Sequence, residues 1–394
     1  MAERWAERLG EDGVIEGATR PPWVTAHVTT IDMTAWCFLR TWFDTLRAHG
    51  HAVHLFTTVG EFTPRLRERG VAVSDVRIPR RIEPLGDLRA LWQLYRAFRE
   101  LRPDIVHTHT SKAGFIGRVA AWLAGVPVIV HTMHEPPHNA AGGSFTRILY
   151  IGLERFAARL STHVVTVSYA NEREIMRQRL VPRARLSVVR EGLDLRLYPR
   201  VADGRAALRA MGIPDEAPVV GAVGRLEQAK GHAYLIRAVP RVLEQVPDAR
   251  FVIVGGGHLR EALQREIDGL GVSDHVTLTG YREDMLELMQ GFDVFALPSL
   301  WEGLGIVLLE AMAYARPLVA SAVGGVNDVV VDGETGLLVP PRSPQALARA
   351  ITSLLLSPVE AARLGEAGAR RLEAEFRDDL CNERLMALYT RLLA

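Results

Sequence analysis

Short apolar runs alternate along almost the whole chain with stretches whose hydrophobic residues recur every three to four positions. That alternation is the signature of a parallel sheet covered by helices on both faces. In the first half, strands are predicted at 24–29, 52–57, 105–109, 126–131 and 163–168. In the second, they are predicted at 219–223, 250–254, 276–278, 294–297, 317–320 and 337–339. Helices fill the gaps. The clearest one precedes Pro103, where Leu88, Leu91, Trp92, Tyr95, Phe98 and Leu101 fall at helical spacing and are expected to face the sheet.

The pattern occurs twice, and 394 residues exceed what one core usually organises, so two α/β, Rossmann-like domains with a cleft between them are expected. The segment Arg190-Glu-Gly-Leu-Asp-Leu-Arg-Leu-Tyr-Pro199 carries turn formers and a proline and reads as the linker. This divides the chain into an extension at 1–22, a first domain at 23–195 and a second at 196–375. A last helix at 376–394 is expected to return to the first domain.

Charge and composition narrow the partners. A net charge of +1 with 24% charged residues gives no global field for nucleic acid. Residues 1–20 mix charges with alanine and glycine and lack the apolar stretch of a secretory leader, so a cytoplasmic location is expected. The longest apolar candidate for a membrane span, near 305–325, is cut by Glu310 and Arg316, so any membrane contact should be peripheral. Cys37 and Cys381 form no metal or redox spacing and read as reduced thiols.

The strongest chemical signal is Pro298-Ser-Leu-Trp-Glu-Gly-Leu-Gly-Ile-Val-Leu-Leu-Glu-Ala-Met312, directly after a predicted strand. Gly303 and Gly305 let backbone approach a ligand before a helix begins, and a helix N-terminus attracts phosphate. Glu310 interrupts an apolar helix face, so its carboxylate needs a partner. A ribose diol would serve Glu310, and a sugar hydroxyl Glu302. A second constellation, Gly221-Ala-Val-Gly-Arg-Leu-Glu-Gln-Ala-Lys-Gly231, also ends a strand; Arg225 offers a planar fork and Lys230 a point charge for a diphosphate. Histidines concentrate at His107, His109, His131, His134 and His138. From the residues alone they read either as metal ligands, as in a metallohydrolase, or as strand-end imidazoles that hydrogen-bond backbone and tune the cleft.

Taken together, these segments resemble the retaining glycosyltransferases of the GT-B fold, in particular family 4 (glycosyl transferases group 1). Glu302 with Glu310 is similar to that family's E-x7-E motif, and Gly224-Arg225 with Lys230-Gly231 to its GR…KG pair. Supporting matches are Gly255-Gly-Gly257, Gly280-Tyr-Arg282, and Gly324-Gly325 followed by Asp332-Gly-Glu-Thr-Gly336. The resemblance implies a nucleotide-diphosphate sugar bound mainly by the second domain, without a tightly bound metal. In that reading Arg225 and Lys230 take the diphosphate, Glu310 the ribose, Tyr281 and Arg282 the base, and Glu302 with Gly303, Leu304 and Gly305 the transferred hexosyl or N-acetylhexosaminyl group. His134 matches the family's active-site histidine, which contacts the donor sugar.

Three positions depart from the family pattern. The segment Thr29-Thr-Ile-Asp-Met-Thr-Ala-Trp36 contains no glycine where the family has a glycine-rich loop. Thr30 and Asp32, together with His109, are therefore the candidates for the acceptor side. After Gly325 the chain reads Val-Asn-Asp328, and Glu191 stands where an asparagine is common. Ten arginines against six acidic residues at 61–102 suggest a basic surface on the first domain for an anionic membrane leaflet. The acceptor is accordingly expected to be a glycan, a lipid-linked sugar or a small molecule. An epimerase or hydrolase on the same fold, or a non-catalytic sugar-nucleotide-binding subunit, are the rival expectations.

Overall fold

The computed structural model describes residues 22–79, 81, 83–136 and 144–394; the expected extension up to residue 21, and His138, lie outside the described residues. Two all-parallel sheets organise the chain. The first has seven strands in the order β3-β2-β1-β4-β5-β6-β7: β1 (Val24–Ile31), β2 (Ala52–Thr58), β3 (Ala72–Asp75), β4 (Ile105–His109), β5 (Val128–Met133), β6 (His163–Thr166) and β7 (Leu186–Val188). The second has six in the order β10-β9-β8-β11-β12-β13: β8 (Val219–Val223), β9 (Arg250–Val254), β10 (Val276–Gly280), β11 (Val294–Leu297), β12 (Leu318–Ser321) and β13 (Leu337–Val339). In each sheet the direction of winding reverses beside the first strand, at β1/β4 and at β8/β11. Ligands bind at such switch points, outside the carboxyl ends of the strands.

The differences from the sequence expectation have local causes. Strand β5 starts two residues later than expected because Pro127 has no N–H to give to the ladder, and it runs on to Met133. Strands β3 and β7 are short edge strands with partly exposed residues, so they lack the apolar run that marks a buried strand. Of the glycine-free segment 29–36, residues 29–31 end β1 and the rest opens a helix, α1 (Asp32–Phe38), followed by α2 (Arg40–Ala48).

The helix before Pro103, α3 (Pro84–Leu101), forms as expected but is rotated. Ala90, Leu94 and Phe98 are its buried residues, spaced four apart, while Leu88 and Trp92 are exposed, the latter by 55%. The stripe read from sequence was displaced toward solvent because small Ala90 marks the centre of the packed face. Helices α4 (Ser111–Ala124) and α5 (Ser144–Leu160) follow, with α4 packed against both α3 and α5.

The two halves are joined by two crossings of the chain that pair with each other. Leu193 N–H donates to Phe376 O at 2.8 Å, and Asp378 N–H to Leu193 O at 3.2 Å. Arg190 lies over the Phe376 ring at 4.3 Å and pairs with Glu375 at 3.1 Å. The last helix, α6 (Asp378–Leu393), returns to the first domain. There Asn382 Nδ2 donates to Thr45 Oγ1 at 3.0 Å, and buried Tyr389 packs edge-on to Trp42.

Candidate active site

At the β8/β11 switch point, two loops interlock. Leu300 N–H donates to Ala229 O at 2.7 Å, and Gly231 takes φ 63° where a Cβ would overlap the Pro298 carbonyl oxygen. Only glycine accepts both constraints at low cost. This close approach brings Lys230 Nζ to 2.6 Å from Glu302 Oε1, which also accepts from Ser299 Oγ at 2.7 Å. Glu302 is buried, so its charge is matched by a cation and a hydroxyl, as a buried carboxylate requires. Arg225 follows Gly224 in the same loop; its side chain is 70% exposed and pairs with Glu227 at 2.9 Å.

Gly303, Leu304 and Gly305 lead into α7 (Ile306–Ala313), whose N-cap is Gly305 at φ 90°. Gly303 meets the first domain directly: a Cβ there would overlap the His134 carbonyl oxygen, which accepts from Asn171 Nδ2 at 2.7 Å. The cleft therefore places the end of β5 against the loop that begins at Glu302. Glu135 lies there too. Burial pushes its carboxyl up, Glu302 adds to this, and Lys230, His134 and Arg225 oppose it.

One turn and more into α7, Glu310 accepts from Tyr198 Oη at 3.0 Å. Burial pushes the Glu310 carboxyl up to about 7, against the pull of Tyr198 and then Arg40. Glu310, Tyr198, His134 and Glu191 line a cavity of about 260 Å³ shared by the two domains, with Phe38 and Arg40 from the first. Tyr281 and Arg282 lie after β10. Tyr281 is 77% exposed, and Arg282 is held by Asp284 at 2.7 Å.

The acceptor-side candidates are only partly brought together. Asp32 is buried, and its carboxylate accepts from Phe62 N–H at 2.9 Å and from Thr63 N–H and Oγ1, both at 2.8 Å. All three bonds fall on Oδ2 and anchor the turn after β2. Thr30 Oγ1 is bonded to Thr110 Oγ1 at 2.8 Å, across the β1/β4 switch point. His109 does line the cavity.

The histidines separate into two groups by strand parity. His131 points to the face opposite His107 and His109, with its Nδ1 at 2.9 Å from Thr108 Oγ1. On the other face, His27, His107 and His109 place a ring nitrogen each within 4.8 Å of one another, a group of imidazoles with no carboxylate in it. Burial drives all three toward the neutral form, His27 to about 3. Both nitrogens of His107 are already engaged, by Tyr389 Oη at 2.6 Å and Thr132 Oγ1 at 2.7 Å. The Tyr389 bond ties α6 to the sheet.

Sequence reasoning missed Tyr198, Glu135 and the role of Glu191, whose Oε1 is 2.9 Å from His134 Nδ1. For Tyr198 no signal existed, since its partner is 112 residues away. For Glu191 the signal was its departure from the usual asparagine.

Residues 205–371 match the family model of glycosyl transferases group 1, and residues 38–192 that of the glycosyl transferase 4-like domain. The chain is 33% identical over 264 residues to the UDP-Gal:alpha-D-GlcNAc-diphosphoundecaprenol alpha-1,3-galactosyltransferase of Escherichia coli, covering 66% of this chain and 68% of the other. It is 33% identical over 314 residues to the alpha-maltose-1-phosphate synthase of Mycolicibacterium smegmatis, covering 74% and 79%. Its fold is similar to that of Anabaena HepE, solved in complex with UDP and glucose, with a TM-score of 0.82, 22% identity, and 94% and 100% of the two chains covered. With two Rossmann-like domains facing one cleft and both family models matched, the chain belongs to the glycosyl transferases group 1 and is a GT-B glycosyltransferase acting on nucleotide sugars.

Proposed function

We propose that this enzyme transfers a hexosyl or N-acetylhexosaminyl group, with retention of anomeric configuration and without a bound metal, from a nucleotide-diphosphate sugar to a lipid-linked acceptor. The observation that carries the reading is the 2.6 Å Lys230–Glu302 pair at the β8/β11 switch point, with Arg225 beside it and the His134 backbone across the cleft. A diphosphate entering this site draws Lys230 and Arg225 onto its oxygens and leaves Glu302 to accept from the sugar hydroxyls. Glu310 takes the ribose, and Tyr281 stacks on the base. As the bond from the anomeric carbon to the diphosphate oxygen breaks, the acceptor oxygen bonds to that carbon on the same face. The acceptor's proton passes to the departing phosphate oxygen. The two cations stabilise the charge that develops there, normally the largest contribution such a site makes.

Lys230→Ala and Arg225→Ala test the assignment. Each should lower kcat by at least about 100-fold with the fold intact. Near-wild-type turnover in both would overturn it.

The lipid-linked acceptor and a cytoplasmic, membrane-peripheral location are supported by the surface of the first domain. Helix α5 exposes Ile148 (67%), Leu149, Leu153 and Phe156 along one stripe, flanked by exposed Arg147, Arg155 and Arg159. On α3, Leu85 (86% exposed), Leu88 and Trp92 form a second stripe, with Arg96 over the Trp92 ring at 4.8 Å. Apolar side chains interleaved with arginines suit the interface of an anionic bilayer. The Escherichia coli relative, whose acceptor is named as a diphosphoundecaprenol, points the same way. Among the described residues no helix is long and apolar enough to cross a membrane, so the contact would be peripheral.

A further inference from the structure

The His134 ring is held by more than the site chemistry requires. Its peptide is fixed by Asn171 on one side and crowded by Gly303 on the other. Phe38 of α1 packs against the ring at 5.5 Å between centroids, and His109 at 6.0 Å. Nδ1 stands 2.9 Å from Glu191 Oε1, close enough for a hydrogen bond though turned out of line for one. Nε2 is buried and has no hydrogen-bond partner among the described residues.

A carboxylate only accepts, so at 2.9 Å two lone pairs would face each other unless Nδ1 carries a hydrogen, which a turn of the ring brings into line. In a neutral imidazole the other nitrogen is then a bare acceptor, and which nitrogen that is depends on the bond the first one makes. A buried acceptor left without a donor is unfavourable and is normally satisfied by something.

We infer that Glu191 is a positioning residue that fixes His134 in the form with hydrogen on Nδ1, so that Nε2 accepts from a hydroxyl of the bound donor sugar. This rests on the reading of His134 as the donor-sugar contact. Glu191 sits between Arg190, which is tied to Glu375 and Phe376, and Gly192, which packs on the backbone of Asp378. The carboxylate therefore reaches the cavity from the paired crossings of the chain.

The test combines a spectroscopic readout with kinetics on the full chain. Long-range 1H–15N spectra of histidine-labelled protein, with His134→Gln to assign the resonance, should show Nδ1–H at His134 in the wild type. In Glu191→Ala the ring should revert to Nε2–H, and kcat should fall about 10- to 100-fold, the scale seen when the partner that orients a functional histidine is lost. Glu191→Gln, whose amide oxygen can still accept from Nδ1–H, should keep both the tautomer and most of the activity. A His134 signal that is the same in wild type and Glu191→Ala, or a loss of activity in Glu191→Gln as large as in Glu191→Ala, would overturn the inference. The tautomer is read without turnover, so a wild-type protein that shows Nδ1–H but transfers no sugar would count against the proposed function and not against the positioning.

Discussion

Replacing Glu310 by glutamine should make the protein more stable at alkaline pH. The Glu310 carboxyl sits at about 7 in the folded protein, raised from 4.5 by burial among groups that include Tyr198, Tyr314, Cys37 and the Arg40 guanidinium. Between those two values the folded state retains a proton that the unfolded chain has released. Stability therefore falls as pH rises through this window, and the full loss is present above pH 7. The difference corresponds to about 3 kcal/mol. Glutamine keeps an acceptor for Tyr198 Oη and removes the ionisation, so Glu310→Gln should gain up to about 3 kcal/mol at pH 8 and little near pH 4.5. For a chain of 394 residues that is a rise of roughly 4 °C in Tm at pH 8. Thermal or urea unfolding of both proteins at pH 5 and pH 8 measures it. A difference that does not change with pH, or a glutamine variant that is less stable at pH 8, would refute the argument.

Other expectations follow from the same site. Glu310→Ala should weaken binding of the free nucleoside diphosphate by about 1–3 kcal/mol, measured by calorimetry, if the ribose donates to this carboxylate. Unchanged affinity would remove it from that role. Turnover should survive EDTA; a complete loss restored by zinc would instead assign a function to the His27, His107 and His109 group. Co-sedimentation should show binding to anionic but not neutral liposomes at low salt, weakened at high salt and in a Trp92→Ser, Ile148→Ser, Phe156→Ser variant. Equal binding to neutral vesicles, or none at low salt, would leave the acceptor a soluble molecule.

What could be read from sequence was whatever local pattern determines. The central strands were found because residues buried on both faces make continuous apolar runs. The loops at Gly224–Gly231 and Glu302–Gly305 were found because close backbone approach demands glycine at fixed positions. Helix α1 was not legible. No capping side chain bonds its N-terminus, and what holds it is the Asp32 carboxylate gripping Phe62 and Thr63 thirty residues away. The same long-range dependence hid the Tyr198–Glu310 bond and the Glu191–His134 contact. On α3, periodicity gave the helix but not its angle, since Ala90 and Leu94 carry the packed face while larger Trp92 stands in solvent.

The central claim is sugar transfer from a nucleotide donor with the configuration kept. The most direct measurement incubates the purified protein with a panel of labelled UDP-, GDP- and ADP-sugars and a lipid-linked acceptor, and follows the anomeric proton of the product by NMR. The account predicts release of one nucleoside diphosphate per glycosidic bond formed, with the product anomer matching the donor. An inverted anomer, an epimerised nucleotide sugar, or binding of the donor with no transfer would contradict it.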